Sequence, residues 1–157
     1  MAAAVRRLTA RVLPVSPVGE VLLLEERDPA RPERHYWSSI GGAIDGDESA
    51  RDAAVREMFE ETGIAVSVAD LVGPAISVEN AYTWNGIAYL GEHTYFALPL
   101  RADVDVSFDH LEAEEVGNVL GWGWWTSETI AGVQHEPPML PDIMRAAVAA
   151  VVRDEES

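Results

Sequence analysis

Apolar and polar positions along the chain first suggest strands. Residues 5–15 and 20–26 predict two strands, with Pro17 and Gly19 marking the turn between them. Residues 27–36, RDPARPERHY, are polar and carry two prolines, which predicts a loop. Trp37 to Ile40 predicts a short strand feeding Gly41 and Gly42. Leu71–Val78 and Ile87–Leu98 predict two more strands around a turn at Tyr82–Gly86. Asp103 to Glu115 is acidic and predicts a mobile loop, and Val119–Trp125 predicts the last strand. Thr126–Ala131 predicts a short helix and Pro141–Val152 a longer one. Strands dominate, with helices early and late, and this order predicts an α/β chain with a mixed sheet between helical layers.

The early helix carries the clearest signals. Ser49 is its expected N-cap, with Asp52 at capping-box spacing, and Gly63 stands where a left-handed residue ends a helix. Glu57, Glu60 and Glu61 fall on a narrow arc, because positions three and four apart share a helix face. Ala50 and Ala53 lie on or beside that arc and leave room for a ligand. Val55, Met58, Phe59 and Thr62 fall on the other side, which predicts sheet packing there. Three acids side by side repel, and a divalent cation would reverse that cost, since hard cations prefer carboxylate oxygens. The bland alternative is an amphipathic helix with an acidic solvent face.

The flanks favour a site. Gly41, Gly42 and Gly46 permit backbone shapes and close approaches denied to other residues, which suggests backbone groups facing a ligand. Arg56 can pair with Glu48 and fix the loop to the helix, as a planar guanidinium does well. The bland alternative for that pair is a surface ion pair of little weight.

Gly42, Glu48, Arg56, Glu57, Met58, Glu60, Glu61, Gly63 and Ile64 fill every specified position of a 23-residue pattern, which resembles the Nudix box of the Nudix (MutT-type) hydrolases. Tyr36-Trp37 ahead of the glycines and Trp124-Trp125-Thr126 closing a late strand are similar to the family too. Ile40 stands where many members have proline, and Asp45-Gly46-Asp47 replaces the commoner Glu-Pro-Gly. Both departures lie in the loop and leave the acids untouched.

The resemblance implies an α/β/α sandwich over residues 1–157 as a single Nudix domain. It implies metal-dependent water attack on phosphorus in a nucleoside diphosphate linked to another group. It places Mg²⁺ or Mn²⁺ on Glu57, Glu60 and Glu61, with the backbone carbonyl of Gly41 or Gly42. Glu57 and Glu61 are the catalytic acids in this reading, with Glu48 and Arg56 supporting them. Some members draw the general base from the box and others from a later loop, where Glu112, Glu114 and Glu115 lie. Glu115 is the preferred candidate, against the plain reading of a solvated acidic loop. Gly41, Gly42 and the rings of Trp37 and Tyr82 are candidates for substrate contact. Tyr82 falls eighteen residues after Ile64, where dinucleoside polyphosphate hydrolases tend to carry a tyrosine. Core or rim packing is the commoner role for such rings. A homodimer is expected from family likeness alone.

Composition narrows the alternatives. The formal charge of −16 argues against a general affinity for nucleic acid, although Arg6, Arg7 and Arg11 can form a local basic patch. That counts against an RNA 5′-pyrophosphohydrolase. The chain has no cysteine, which excludes disulfides and thiol nucleophiles and argues against the related isoprenoid diphosphate isomerase, which depends on a catalytic cysteine. No apolar run approaches membrane-spanning length. The N-terminal residues lack the apolar core of a signal peptide, so the expected location is the cytoplasm. A non-catalytic nucleotide sensor stays as a second reading, although 157 residues leave no room for a second domain and the motif is intact. His35, His93, His110 and His135 show no metal-ligand spacing. Glu92 and His93 sit mid-strand, where alternation turns one of them inward.

Overall fold

The structure is a computed structural model that describes residues 3–157. Among the described residues seven strands form one sheet: β1 (Val5–Val15), β2 (Val21–Asp28), β3 (Arg31–Ser38), β4 (Ile40–Ala43), β5 (Val72–Trp84), β6 (Ile87–Pro99) and β7 (Val119–Trp125). The helices are α1 (Ala50–Thr62), α2 (Ser127–Ala131) and α3 (Leu140–Glu156). The main order is β3-β2-β1-β6-β5, with β4 on β1 and β7 on β2. β1 runs parallel to β6, while the β2–β3, β2–β7 and β5–β6 pairs are antiparallel, so the sheet is mixed.

Strand alternation feeds two cores. Leu13, Val15, Tyr95 and Ala97 pack with Ile143, Met144 and Ala147 of α3. Ala10, Val12, Phe96 and Leu98 point the other way and pack with Ala53, Ala54 and Met58 of α1. Helices therefore cover both faces, as an α/β/α sandwich requires.

Three expectations need correction. Residues 31–36, expected within a loop, join Trp37 and Ser38 in the edge strand β3. An edge strand is wet, so its polar run and Pro32 are compatible with pairing, and Asp28 tightens the hairpin by accepting the Ala30 N–H at 2.9 Å. The expected Tyr82–Gly86 turn shrinks to Asn85 and Gly86, with φ of 50° and 78°. These left-handed values are those of a two-residue hairpin turn, so β5 continues through Tyr82 to Trp84. The packing face of α1 is also rotated from the expected one. Glu57 and Glu61 are buried with Ala53, Ala54, Met58 and Thr62, while Phe59 is exposed and Val55 only partly buried. Ala53 thus belongs to the core rather than to a ligand opening.

Residues 101–118 hold no strand or helix but are tied down. The Ser107 N–H donates to the Thr62 carbonyl at 2.8 Å, and His110 stacks on Phe59 with ring centroids 4.5 Å apart. Arg27 donates its N–H to the Asn118 carbonyl at 2.9 Å. The acidic turn is therefore held to α1 at one end and to β2 at the other.

Candidate active site

Helix α1 sets the acids. The Ser49 hydroxyl accepts the Asp52 N–H at 3.0 Å, and Gly63, with φ 74°, donates to the Phe59 carbonyl at 2.8 Å. Between these caps, Glu57 and Glu61 point at the β4 glycines. Glu61 Oε1 accepts the Gly41 N–H at 2.6 Å. A Cβ on Gly42 would fall 2.6 Å from Glu57 Oε1, so only glycine lets the carboxylate lie against the strand. At Gly41, φ is +144° and a Cβ would stand 2.4 Å from the Ala10 carbonyl oxygen. The two glycines thus allow a buried helix acid to lie against strand backbone.

Arg56 organises the remaining charges. Its Nε and Nη2 donate to the two oxygens of Glu48 at 2.8 and 2.9 Å, the forked geometry a guanidinium favours. Nη2 also donates to the Ala43 carbonyl at 3.0 Å, and Nη1 to Glu57 at 3.0 Å and Glu60 at 3.2 Å. The Arg56 hydrogen bonds hold Glu48 down at about 2. The guanidinium thereby fastens loop, strand and helix together, as its spacing to Glu48 suggested.

The 112–118 turn completes the cluster. The Glu115 N–H donates to the Glu112 carbonyl at 2.9 Å, and the Asn118 side chain donates to the Glu114 carbonyl at 2.9 Å. The turn presents Glu112 and Glu115 to the helix. One oxygen each from Glu57, Glu61 and Glu115 lies within 4.8 Å of the others, and the same holds for Glu57, Glu60 and Glu112. Glu57 is common to both groups.

Burial followed by the Glu115 charge pushes Glu57 up to about 7, against the opposing pull of Arg56. Burial and a hydrogen bond to Glu115 push Glu61 well above the usual carboxylate range. Burial and the neighbouring Glu60 raise Glu112 to about 6. Acids held this close and this dry retain protons unless a cation replaces them. An all-carboxylate donor set suits a hard cation such as Mg²⁺ or Mn²⁺, and one oxygen from each acid of a group lies within 4.8 Å of the others, so the residues present fit such an ion.

Beside this cluster opens a cavity of about 530 Å³ that reaches Gly41, Gly42 and Glu115. Arg7, Arg11, Arg31 and Arg34 line it beside the acids Glu26, Asp28, Glu115 and Glu136, so arginines offset acids there in a chain of net charge −16. Tyr82 lines it as well and stacks on Tyr89 at 5.3 Å. Trp37 does not line it; its ring meets Trp125 edge-on at 4.9 Å and packs on the α3 core. Arg6 points to the other face and pairs with Glu92 at 2.5 Å, so the expected patch of Arg6, Arg7 and Arg11 is divided by strand alternation.

Sequence reasoning missed Glu26. It is half-buried at the cavity wall, takes the Ser38 hydroxyl hydrogen bond and is pushed by desolvation up to about 7. An ionisable residue at the end of an apolar strand run was the available signal.

A mixed sheet between helices, with an acid-bearing loop–helix packed on a glycine strand, defines a class already suggested by the sequence motif. The Nudix domain family matches residues 5–143, and the chain belongs to the Nudix family. It is 41% identical over 54 residues to an uncharacterized Nudix hydrolase, YvcI, of Bacillus subtilis, covering 34% of this chain and 31% of that one. It is 39% identical over 51 residues to the CTP pyrophosphohydrolase of Escherichia coli, covering 32% of this chain and 38% of the relative. The chain thus matches about a third of the length of these relatives. The fold is similar to that of a MutT protein from Methanosarcina mazei, with a TM-score of 0.66, full coverage of both chains and 24% identity.

No helix among the described residues is long and apolar enough to cross a membrane.

Proposed function

We propose that this protein is a metal-dependent pyrophosphohydrolase that cleaves a nucleoside diphosphate linked to another group by water attack on phosphorus. The observation that carries the reading is the position of Glu57. It joins two groups of three carboxylates at the edge of a cavity lined by arginines. Glu57, Glu60 and Glu61, with the Gly42 carbonyl, would hold Mg²⁺ or Mn²⁺, which when bound supplies charge neutralisation of the diphosphate and a more acidic water. Glu115 faces Glu57 and Glu61 and takes the proton of the attacking water on its carboxylate. Arg56 and Glu48 keep the loop and helix in register. The cavity arginines hold the anionic substrate, and Tyr82 offers a ring face to its base.

The test is a hydrolysis panel with Mg²⁺ or Mn²⁺: nucleoside triphosphates including CTP and oxidised forms, dinucleoside polyphosphates, ADP-ribose, nucleotide sugars, coenzyme A and capped RNA. Glu57→Gln serves as the blank. Metal-dependent release of a nucleotide product supports the reading, and product identity gives the cleaved bond. Tight nucleotide binding with no turnover by the wild type contradicts it in favour of a sensor. A preference for capped RNA selects the RNA 5′-pyrophosphohydrolase instead. A cytoplasmic location and a homodimer belong to the same proposal; light scattering decides the latter.

A further inference from the structure

The sheet face that packs on α3 changes character along its length. Leu13 and Val15 of β1, Tyr95 and Ala97 of β6, and Ile76 and Val78 of β5 are apolar and join the core. Two residues further along each strand the same face carries Arg11, His93 and Asn80, all lining the cavity. Together with the buried Thr9, these polar residues form one hydrogen-bonded chain.

Its direction follows from which atoms can donate. Arg11 Nε has only a proton to give and meets Thr9 Oγ1 at 3.3 Å. Thr9 is fully buried, so its own hydroxyl proton needs an acceptor, and His93 Nδ1 lies 2.5 Å away. Nδ1 is therefore the acceptor and the ring proton sits on Nε2. Nε2–H donates to Asn80 Oδ1 at 2.7 Å. The opposite tautomer would give Thr9 two incoming donors and leave its proton buried without a partner, which is costly. Burial, followed by the charges of Arg11 and Arg7, pushes His93 down to about 4, so the ring is neutral near pH 7. Gly91 makes room for it: a Cβ there would stand 2.5 Å from His93 Cε1 and Nε2.

The Asn80 oxygen is thus committed to His93, while its Nδ2 makes no hydrogen bond among the described residues. At the other end, Arg11 Nη1 donates to the Gly41 carbonyl at 3.3 Å, and the Gly41 N–H donates to Glu61. The chain therefore runs from the acid cluster to the cavity.

We infer that Asn80 is a specificity-determining residue whose carboxamide N–H groups, held in one orientation by Thr9 and His93, donate to a ring carbonyl or ring nitrogen of a nucleobase lying beside Tyr82. The inference rests on the cavity being the nucleotide site and deepens that reading. Tyr82 gives stacking that every base accepts, and its ring lies 5.8 Å from that of His93. Asn80 adds a polar contact that discriminates between base edges.

The tests separate this inference from hydrolysis. In the wild-type chain, ¹⁵N NMR of the histidine side chains should show His93 as the neutral Nε2–H tautomer from pH 5.5 to 8. The Nδ1–H tautomer would overturn the assignment. Binding of AMP, GMP, CMP, UMP and ribose 5-phosphate is then compared without metal in wild type and Asn80→Asp. Aspartate keeps the oxygen that His93 needs and replaces the donor group with a charged acceptor, and ribose 5-phosphate reads the effect of that charge on the phosphate alone. At least one nucleotide should bind the variant about tenfold more weakly, with ribose 5-phosphate changed less than about twofold. Unchanged nucleotide binding, an equal loss for ribose 5-phosphate, or wild-type binding no tighter for nucleotides than for ribose 5-phosphate each contradict the role. Nucleotide binding through Asn80 without turnover would sink the hydrolase proposal and leave this inference standing.

Discussion

The acid cluster and the arginine-lined cavity meet at Gly41 and Gly42, yet they are built in opposite ways. The cluster takes most of its groups from one stretch, Glu48 to Glu61, where helix geometry turns sequence spacing into adjacency. The cavity takes its walls from β1, the β2–β3 hairpin, β5, β6 and residues 136–138. The cluster gathers buried like charges that only a cation or protons can settle. The cavity sets Arg7, Arg11, Arg31 and Arg34 among the acids Glu26, Asp28, Glu115 and Glu136. In the proposed function, one region performs the chemistry on a diphosphate and the other chooses what the diphosphate carries.

The sharpest way to break this division is Glu57→Gln, which removes the acid shared by both carboxylate groups. Turnover should fall by about a hundredfold or more, because charge stabilisation in the transition state is lost, while circular dichroism stays unchanged. A rate near wild type sinks the assignment. Arg56→Lys tests the support. Lysine cannot fork onto Glu48 while also reaching Glu57 and Glu60, so metal affinity or activity should fall about 10- to 100-fold, as read by calorimetric titration with Mn²⁺.

A pH series sharpens the contrast without mutation. Glu26 and Glu57 titrate at about 7 and Glu112 at about 6 in the folded chain, above an ordinary value near 4.5. Raised carboxyls contribute stability that is full below the unfolded value and lost as pH rises through the folded one. Metal-free Tm should therefore be higher at pH 5 than at pH 8. Glu48, held at about 2, loses its contribution only below about 4.5, while His93, pushed down to about 4, opposes the trend as one group against the several raised carboxyls. Added Mg²⁺ should raise Tm more at pH 8, where it no longer competes with protons. Equal Mg²⁺ effects at both pH values would detach the ion from these acids. The smallest effect is expected in the cavity. Arg34→Ala should raise KM by about three- to tenfold with kcat unchanged, as loss of uniform binding does. A fall in kcat instead would mean that the two regions do not divide the work.

The same contrast explains what was legible in the sequence. The clustered acids of α1, the Arg56–Glu48 pair and both caps of α1 are local, so spacing and residue type pointed to them. β3 was hidden because an edge strand is as polar as a loop. The rotation of α1 was hidden because Glu57 and Glu61 are buried acids, which a hydrophobic pattern assigns to solvent. The cavity was hidden for a different reason. Arg11, Asn80 and His93 meet only through the parallel register of β1 on β6 and the antiparallel register of β5 on β6. Tyr82 was named from its spacing, but its Tyr89 partner and cavity position depend on that register too.

The central claim, that the acid cluster is a divalent-cation site hinged on Glu57, is tested most directly by Mn²⁺ titration followed through the electron paramagnetic resonance signal of the free ion. Wild type at pH 8 should show saturable binding, and Glu57→Gln should weaken it by at least about tenfold. Equal affinity in the two proteins, or no saturable binding in the wild type, would contradict the account.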